Sequence, residues 1–310
     1  MTIRTKLIGT VLAATLYATA ALAADSARRL TVDDIGAGYE WIRNYRGGQS
    51  LFAYYPPGER EGSGRAAVVF IHGGGWTSGH PSFFFPHCQY FAMRGAVAFS
   101  VQYRLATAQS ADGLEQVGSR CLADCKSAIR YIRENSAKFG IDPNKITVAG
   151  DSAGGHLAVA LGLIGEYDNP DDDLTVSARP QACVGFNPVA DSNSAVVYRI
   201  FGIENPGEEA LRIAKTISPV DNVASGVPPM LVMHGTADTV IPIEQSERFA
   251  AAMKQAGNRC DLIKLEGAPH AFSINWAGTE ETIVRSLAEM DRFMGSLGLI
   301  DGEPTITVEK

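Results

Sequence analysis

Gly150-Asp151-Ser152-Ala153-Gly154 separates two stretches of opposite character. Before it, Lys145-Ile146-Thr147-Val148-Ala149 is a short β-prone run; after it, residues 153–163 are rich in alanine and leucine with no proline, as a buried helix is. A serine set where a strand turns sharply into a helix sits in a strained backbone that exposes its hydroxyl. Strand and helix approach that closely only if the residues two positions to either side are small. Gly150 and Gly154 meet this requirement, and Gly155 extends it. A tight turn with a capping serine would leave the same five residues, so the reading depends on the rest of the chain.

Outward from the pentapeptide, strand and helix patterns alternate. Residues 66–71 form a continuous apolar run, the signature of a strand covered on both faces. Further strands are expected at residues 51–55, 96–101, 181–186, 229–233 and 260–265. Helices are expected at residues 83–94, 114–139, 242–256 and 279–294. In the long helix Cys121, Ala128, Ile129 and Ile132 face inward, with Arg130, Arg133 and Glu134 outward. Residues 187–228 read as irregular with one short helix near 208–216, residues 30–48 as a segment against the rim, and the tail from 298 as peripheral. The fold class is therefore α/β: a mostly parallel sheet with helices on both faces, in one domain spanning residues 24–310. No repeat or linker divides it, and 310 residues at 45% hydrophobic content suit one large domain.

Residues 1–23 stand apart. Arg4 and Lys6 open a basic start, residues 7–21 are apolar and alanine-rich, and Ala21-Leu22-Ala23 fits a small-x-small cleavage site. This is the pattern of a secretory signal peptide, cleaved near Ala23, and it implies a periplasmic or secreted protein without stable membrane insertion. Its removal leaves 25 basic against 34 acidic residues, a net charge of −9. That balance disfavours nucleic acid and anionic membrane surfaces as partners and favours a neutral substrate. The five cysteines, Cys88, Cys121, Cys125, Cys183 and Cys260, are an odd set and read mostly as buried free thiols. No Cys-x-x-Cys or close Cys/His cluster suggests a metal, and His80 and His87 read as loop residues around Pro81 and Pro86.

A serine hydroxyl needs a base to take its proton, and that base is a histidine held in one tautomer by a carboxylate. In an open α/β sheet these groups follow strand ends, in the order nucleophile, acid, base. Two loops after Ser152 supply them: Asp238 within residues 234–240, and His270 within residues 267–272. His234 lies against a strand end and reads as a local hydrogen-bonding residue, and His156 as a packing or hydrogen-bonding residue on the helix after Ser152. Asp191 and Asp221 are rival acids, but neither directly follows a strand; Asp151 points elsewhere in such a turn.

His72-Gly73-Gly74-Gly75-Trp76 follows the strand at residues 66–71. Attack on a carbonyl puts negative charge on its oxygen, and each preorganised donor there is worth ~3 kcal/mol. A glycine run lets backbone amides turn inward, so Gly74 and Gly75, with the amide of Ala153, are the candidate oxyanion donors. His72 braces this loop, and Trp76 lines the substrate pocket. The loop lacks the Gly-Lys-Ser/Thr or G-x-G-x-x-G of a phosphate site.

With His72-Gly73-Gly74-Gly75-Trp76, Tyr103-Arg104-Leu105-Ala106 and Gly150 to Gly155, the chain resembles the acetyl-esterase branch of the α/β-hydrolases, related to hormone-sensitive lipase. The resemblance covers residues 51–294 and implies ester hydrolysis through an acyl-serine, with no cofactor and no metal. Thr107 stands where those relatives continue with Pro-Glu, and only a short segment precedes the first strand. In this the chain looks more like exported bacterial acetyl-xylan and feruloyl esterases, which implies a small cap, short acyl groups and bulky, even carbohydrate, alcohols. The oligomeric state is unknown from sequence. Two other readings stay open. The loop from His234 onward, with Gln245, is also similar to prolyl-oligopeptidase relatives, and kynurenine formamidase is an amide-hydrolysing cousin. A hydrolase fold kept as a non-catalytic binding module, as in neuroligin-like proteins, is the third.

Overall fold

The computed structural model describes residues 39–46, 48–58 and 64–306. The signal-peptide reading of residues 1–23 lies outside the described residues. In chain order the strands are β1 (Tyr39–Arg46), β2 (Gln49–Tyr54), β3 (Arg65–Ile71), β4 (Val97–Val101), β5 (Ile141–Asp151), β6 (Ala182–Phe186), β7 (Met230–Gly235) and β8 (Cys260–Leu265). The helices are α1 (Phe85–Met93), α2 (Ala111–Gln116), α3 (Ala123–Glu134), α4 (Ser136–Phe139), α5 (Ser152–Leu163), α6 (Ala195–Ile200), α7 (Glu208–Ile217), α8 (Glu244–Gln255) and α9 (Glu280–Ser296).

The eight strands form one sheet in the order β1-β2-β4-β3-β5-β6-β7-β8. β1, β2 and β4 pair antiparallel, and from β4 onward every pair is parallel. β3 shows why its sequence is apolar throughout. Ala67, Val69 and Ile71 join the core on one face, Val68 and Phe70 the core on the other. Helices cover both faces, so every position of β3 after Arg65 is buried.

Five local features differ from the sequence expectation. The helix expected over residues 114–139 begins earlier, at Ala111 after the capping Ser110, and a π-helical segment Val117–Leu122 interrupts it. Arg130, expected outward, is buried against Asp168, Asp172 and the carbonyl of Val176. A fully paired guanidinium can enter a core where an unpaired one cannot. The connection read as largely irregular carries two helices, α6 and α7. The rim segment contains strand β1, and in the tail Leu299, Ile300 and Ile306 are buried in the core rather than peripheral.

The parallel strands end together at their carboxyl edge. There β3 leads into the Gly73–Gly75 loop, β5 into Ser152, β7 into the Asp238 loop and β8 into the His270 loop. Topology thus brings four separate stretches of sequence to one edge.

Candidate active site

Ser152 is the first residue of α5 and has φ 51°, the left-handed conformation that lifts a side chain out of the strand-to-helix turn. The turn closes on β3: a Cβ at Gly154 would lie 2.1 Å from the carbonyl oxygen of Ile71. Only glycine fits there.

Ser152 Oγ lies 3.0 Å from His270 Nε2, and His270 Nδ1 lies 2.7 Å from Asp238 Oδ2. With Nδ1 donating to the carboxylate, Nε2 is left as the acceptor for the serine proton. Asp238 is itself held. Its Oδ1 accepts the amides of Val240 at 2.8 Å and Ile241 at 2.9 Å. Burial opposes its charge, but hydrogen bonds from His234 and His270 hold the carboxyl well below the usual carboxylate range. The rival acids lie elsewhere: Asp191 pairs with Arg248 at 2.7 Å, and Asp221 lies in the 3₁₀ turn Pro219–Asn222.

His234 is more than a local packing residue. Its Nε2 lies 3.0 Å from the carbonyl of Ile241 and 3.3 Å from Asp238 Oδ2, while Ser246 Oγ meets Nδ1 at 2.7 Å. Asp151 likewise does not merely point away. Its Oδ1 accepts the amide of Gly73 at 2.9 Å, which fixes the start of the glycine loop. Asn187 has φ 37° and accepts from the amide of Ala271, next to His270 and itself at φ 59°. No motif in the sequence marks these contacts. The only signal is position, immediately after a strand end or beside a catalytic candidate.

The glycine loop lines the same cavity as Ser152. Gly74 and Gly75 have φ 115° and 61°, and among the described residues neither amide donates to a protein acceptor. The amide of Ala153, in the first helical turn, has no intrahelical partner either. Below the loop His72 stacks on Tyr103 at 4.3 Å, and Tyr103 Oη donates to the His72 carbonyl at 3.0 Å. Burial pulls the His72 imidazole down to about 4. His72 is thus a neutral brace, the role expected for it. Arg104, the next residue of that motif, pairs bidentately with Asp124.

These elements wall a cavity of about 240 Å³ that contains Ser152, His270, Gly74, Gly75 and Ala153. Its side walls are apolar, among them Phe83, Val189, Ile241 and Ile274. Trp76 also lines it, as a fixed wall: the side chain is fully buried and its Nε1 donates to His156 Nδ1 at 3.3 Å. His156 then directs Nε2 to the Ile217 carbonyl at 2.7 Å. Val240 and Trp276, both exposed at the mouth, were not picked out by any motif. His87 is no loop residue either; it is buried on α1 among Phe70, Phe84 and Phe186. A cavity of about 470 Å³ elsewhere is lined by Lys126, Arg130 and Asp168, whose charges already satisfy one another.

A parallel sheet with a strained serine turn and an acid–histidine pair on the following strand ends defines an α/β-hydrolase. More narrowly, the chain belongs to the BD-FAE family, whose model matches residues 53–253. It is 31% identical over 284 residues to esterase LipQ of Mycobacterium tuberculosis, covering 80% of this chain and 62% of that protein. It is 26% identical over 234 residues to an acetylxylan esterase of Xylanibacter ruminicola, covering 73% of this chain and 45% of that one. The chain thus spans about half to three fifths of the length of these curated relatives. Among solved structures, propionate-bound esterase 2 of Thermogutta terrifontis superposes with a TM-score of 0.76 at 36% identity, covering 86% of this chain and 97% of that one. The same esterase phosphorylated by paraoxon superposes at 0.73 with 35% identity and the same coverage.

Proposed function

We propose that this chain is an exported serine carboxylesterase that hydrolyses short-chain acyl esters, acetyl or feruloyl in type, on a carbohydrate alcohol. The observation that carries the reading is the unbroken chain from Ser152 Oγ through His270 to Asp238, in one small cavity that Gly74, Gly75 and Ala153 also line. Ser152 attacks the ester carbonyl while His270 takes its proton. The amides of Gly74, Gly75 and Ala153 hold the resulting oxyanion, and Asp238 stabilises the imidazolium. His270 then gives its proton to the leaving alcohol, which departs and leaves an acyl-serine. Water, deprotonated by His270, attacks that ester, and the acid leaves as the proton returns to Ser152.

The cavity's modest volume and apolar walls support a short acyl group. So do the short carboxylate in the Thermogutta esterase and the acetylxylan esterase among the relatives. The leader-like residues 1–23 support export. The test is hydrolysis of p-nitrophenyl esters from acetate to palmitate, with acetylated xylan and methyl ferulate alongside. Activity confined to short acyl chains is expected. Ser152→Ala, folded to the same melting temperature, should lose at least about 10⁴-fold in kcat and escape labelling by an organophosphate. Near-native turnover by that variant overturns the assignment.

A further inference from the structure

The loops that carry the acid and the base each place one exposed apolar side chain at the mouth of the cavity. Val240, two residues after Asp238, is 42% exposed, and Trp276, six residues after His270, is 77% exposed. Leaving an indole that far in water is what folding ordinarily avoids, because an aromatic ring offers the largest apolar area to bury. Among the described residues no hydrogen bond or ring contact occupies it. Trp76, by contrast, stands in the same cavity fully buried and bonded to His156. The exposure of Trp276 therefore belongs to the mouth, not to the core.

Building on the esterase reading, we propose that Trp276 is the stacking platform for a pyranose ring in the alcohol half of the substrate, a residue that sets specificity. Three observations point there. His270 and Trp276 line the same cavity, so an alcohol that takes its proton from His270 departs beside the loop that bears Trp276. The cavity wall carries no lysine or arginine, which suits a neutral ring. The indole also lies at the lip. A sugar stacked by its C–H face there keeps its hydroxyls in water, whereas an aryl group would gain more by entering the apolar interior.

The experiment compares wild type with Trp276→Ala and Trp276→Phe on three acetates: an acetylated methyl xyloside, benzyl acetate and ethyl acetate. Each substrate is compared with itself across proteins, so differences in leaving-group reactivity cancel. For Trp276→Ala, kcat/KM on the xyloside acetate should fall about tenfold relative to ethyl acetate, carried by KM, with Trp276→Phe retaining most of it. An equal change on all three esters, no change, or a loss confined to benzyl acetate overturns the platform.

Binding supplies a second readout that needs no turnover. In Ser152→Ala protein, the xyloside acetate should shift indole emission to the blue, and the additional change Trp276→Phe should abolish that shift. A shift that persists without Trp276, or none at saturating sugar, overturns the proposal. Absence of turnover by wild type on every ester, with the fluorescence shift intact, would instead refute the esterase reading alone.

Discussion

His234 and His270 converge on one atom: Oδ2 of Asp238 lies 2.7 Å from His270 Nδ1 and 3.3 Å from His234 Nε2. His234 is buried, and its remaining nitrogen is taken by Ser246. The Asp238 carboxylate is therefore clamped between the imidazole it orients and one that orients it. His234→Leu should remove the clamp and leave Ser246 and the Ile241 carbonyl unpaired. A stability loss of about 2 kcal/mol is expected, with kcat falling about tenfold and KM little changed. His234→Gln, whose amide can reach the same oxygen, should recover most of kcat. Equal kcat in the two variants would show that His234 serves the fold alone.

Asp151 offers a test in pH. It is 2% exposed, and burial pushes its carboxyl up to about 6, opposed by the nearby His270 and the Gly73 amide. A folded pKa above the unfolded value, about 3.9, means that folding favours the protonated acid. That stability is fully present below the unfolded value and is lost as pH rises through about 6. The loss is on the order of 3 kcal/mol. Asp151→Asn keeps an acceptor for Gly73 and does not ionise, so it should gain on wild type across this window. Urea unfolding at pH 4.5 and pH 7.5 reads the difference directly. A gap that is the same at both values would mean that Asp151 does not titrate in between.

Asn187 supports the base from behind. Its side chain accepts from the amide of Ala271, and both residues sit in the left-handed region. Asn187→Gly retains that backbone conformation and deletes only the contact. We expect kcat to drop roughly threefold to tenfold through looser placement of His270, with a melting temperature within a few degrees of wild type. Unchanged kcat would show that the His270 loop holds its own shape.

Ser152, Asp238 and His270 were legible in the sequence because their chemistry restricts residue type, and the fold restricts their order and their place after strand ends. The apolar run of β3 was legible because a doubly covered strand admits little else. β1 was not: at the sheet edge Trp41, Arg43 and Asn44 are exposed around the buried Ile42, so its pattern resembles a loop. Arg130 was misplaced because helical periodicity assigns charge to the outside. The carboxylates that admit it lie 38 and 42 residues further along the chain. Trp276 and Asn187 belong to no motif. Their positions follow from loop paths, and side-chain spacing carries no record of those paths.

The glycine loop gives the sharpest steric prediction. Gly74 has φ 115°, and a Cβ there would lie 2.4 Å from the carbonyl oxygen of Ser78, a backbone atom that cannot swing aside. The same turn is closed by the amides of Thr77 and Ser78, which both donate to the Gly74 carbonyl. Gly74→Ala must therefore displace the stretch of cavity wall that carries the two proposed oxyanion donors, Gly74 and Gly75. Losing one oxyanion donor costs about 10²–10³ in kcat, and losing both costs more. We expect kcat to fall at least about 10²-fold while KM changes little, since ground-state binding rests on the apolar walls. Organophosphate labelling of Ser152 should slow in parallel, because the phosphoryl oxygen uses the same donors. Wild-type kcat in a folded Gly74→Ala protein would place the oxyanion site elsewhere.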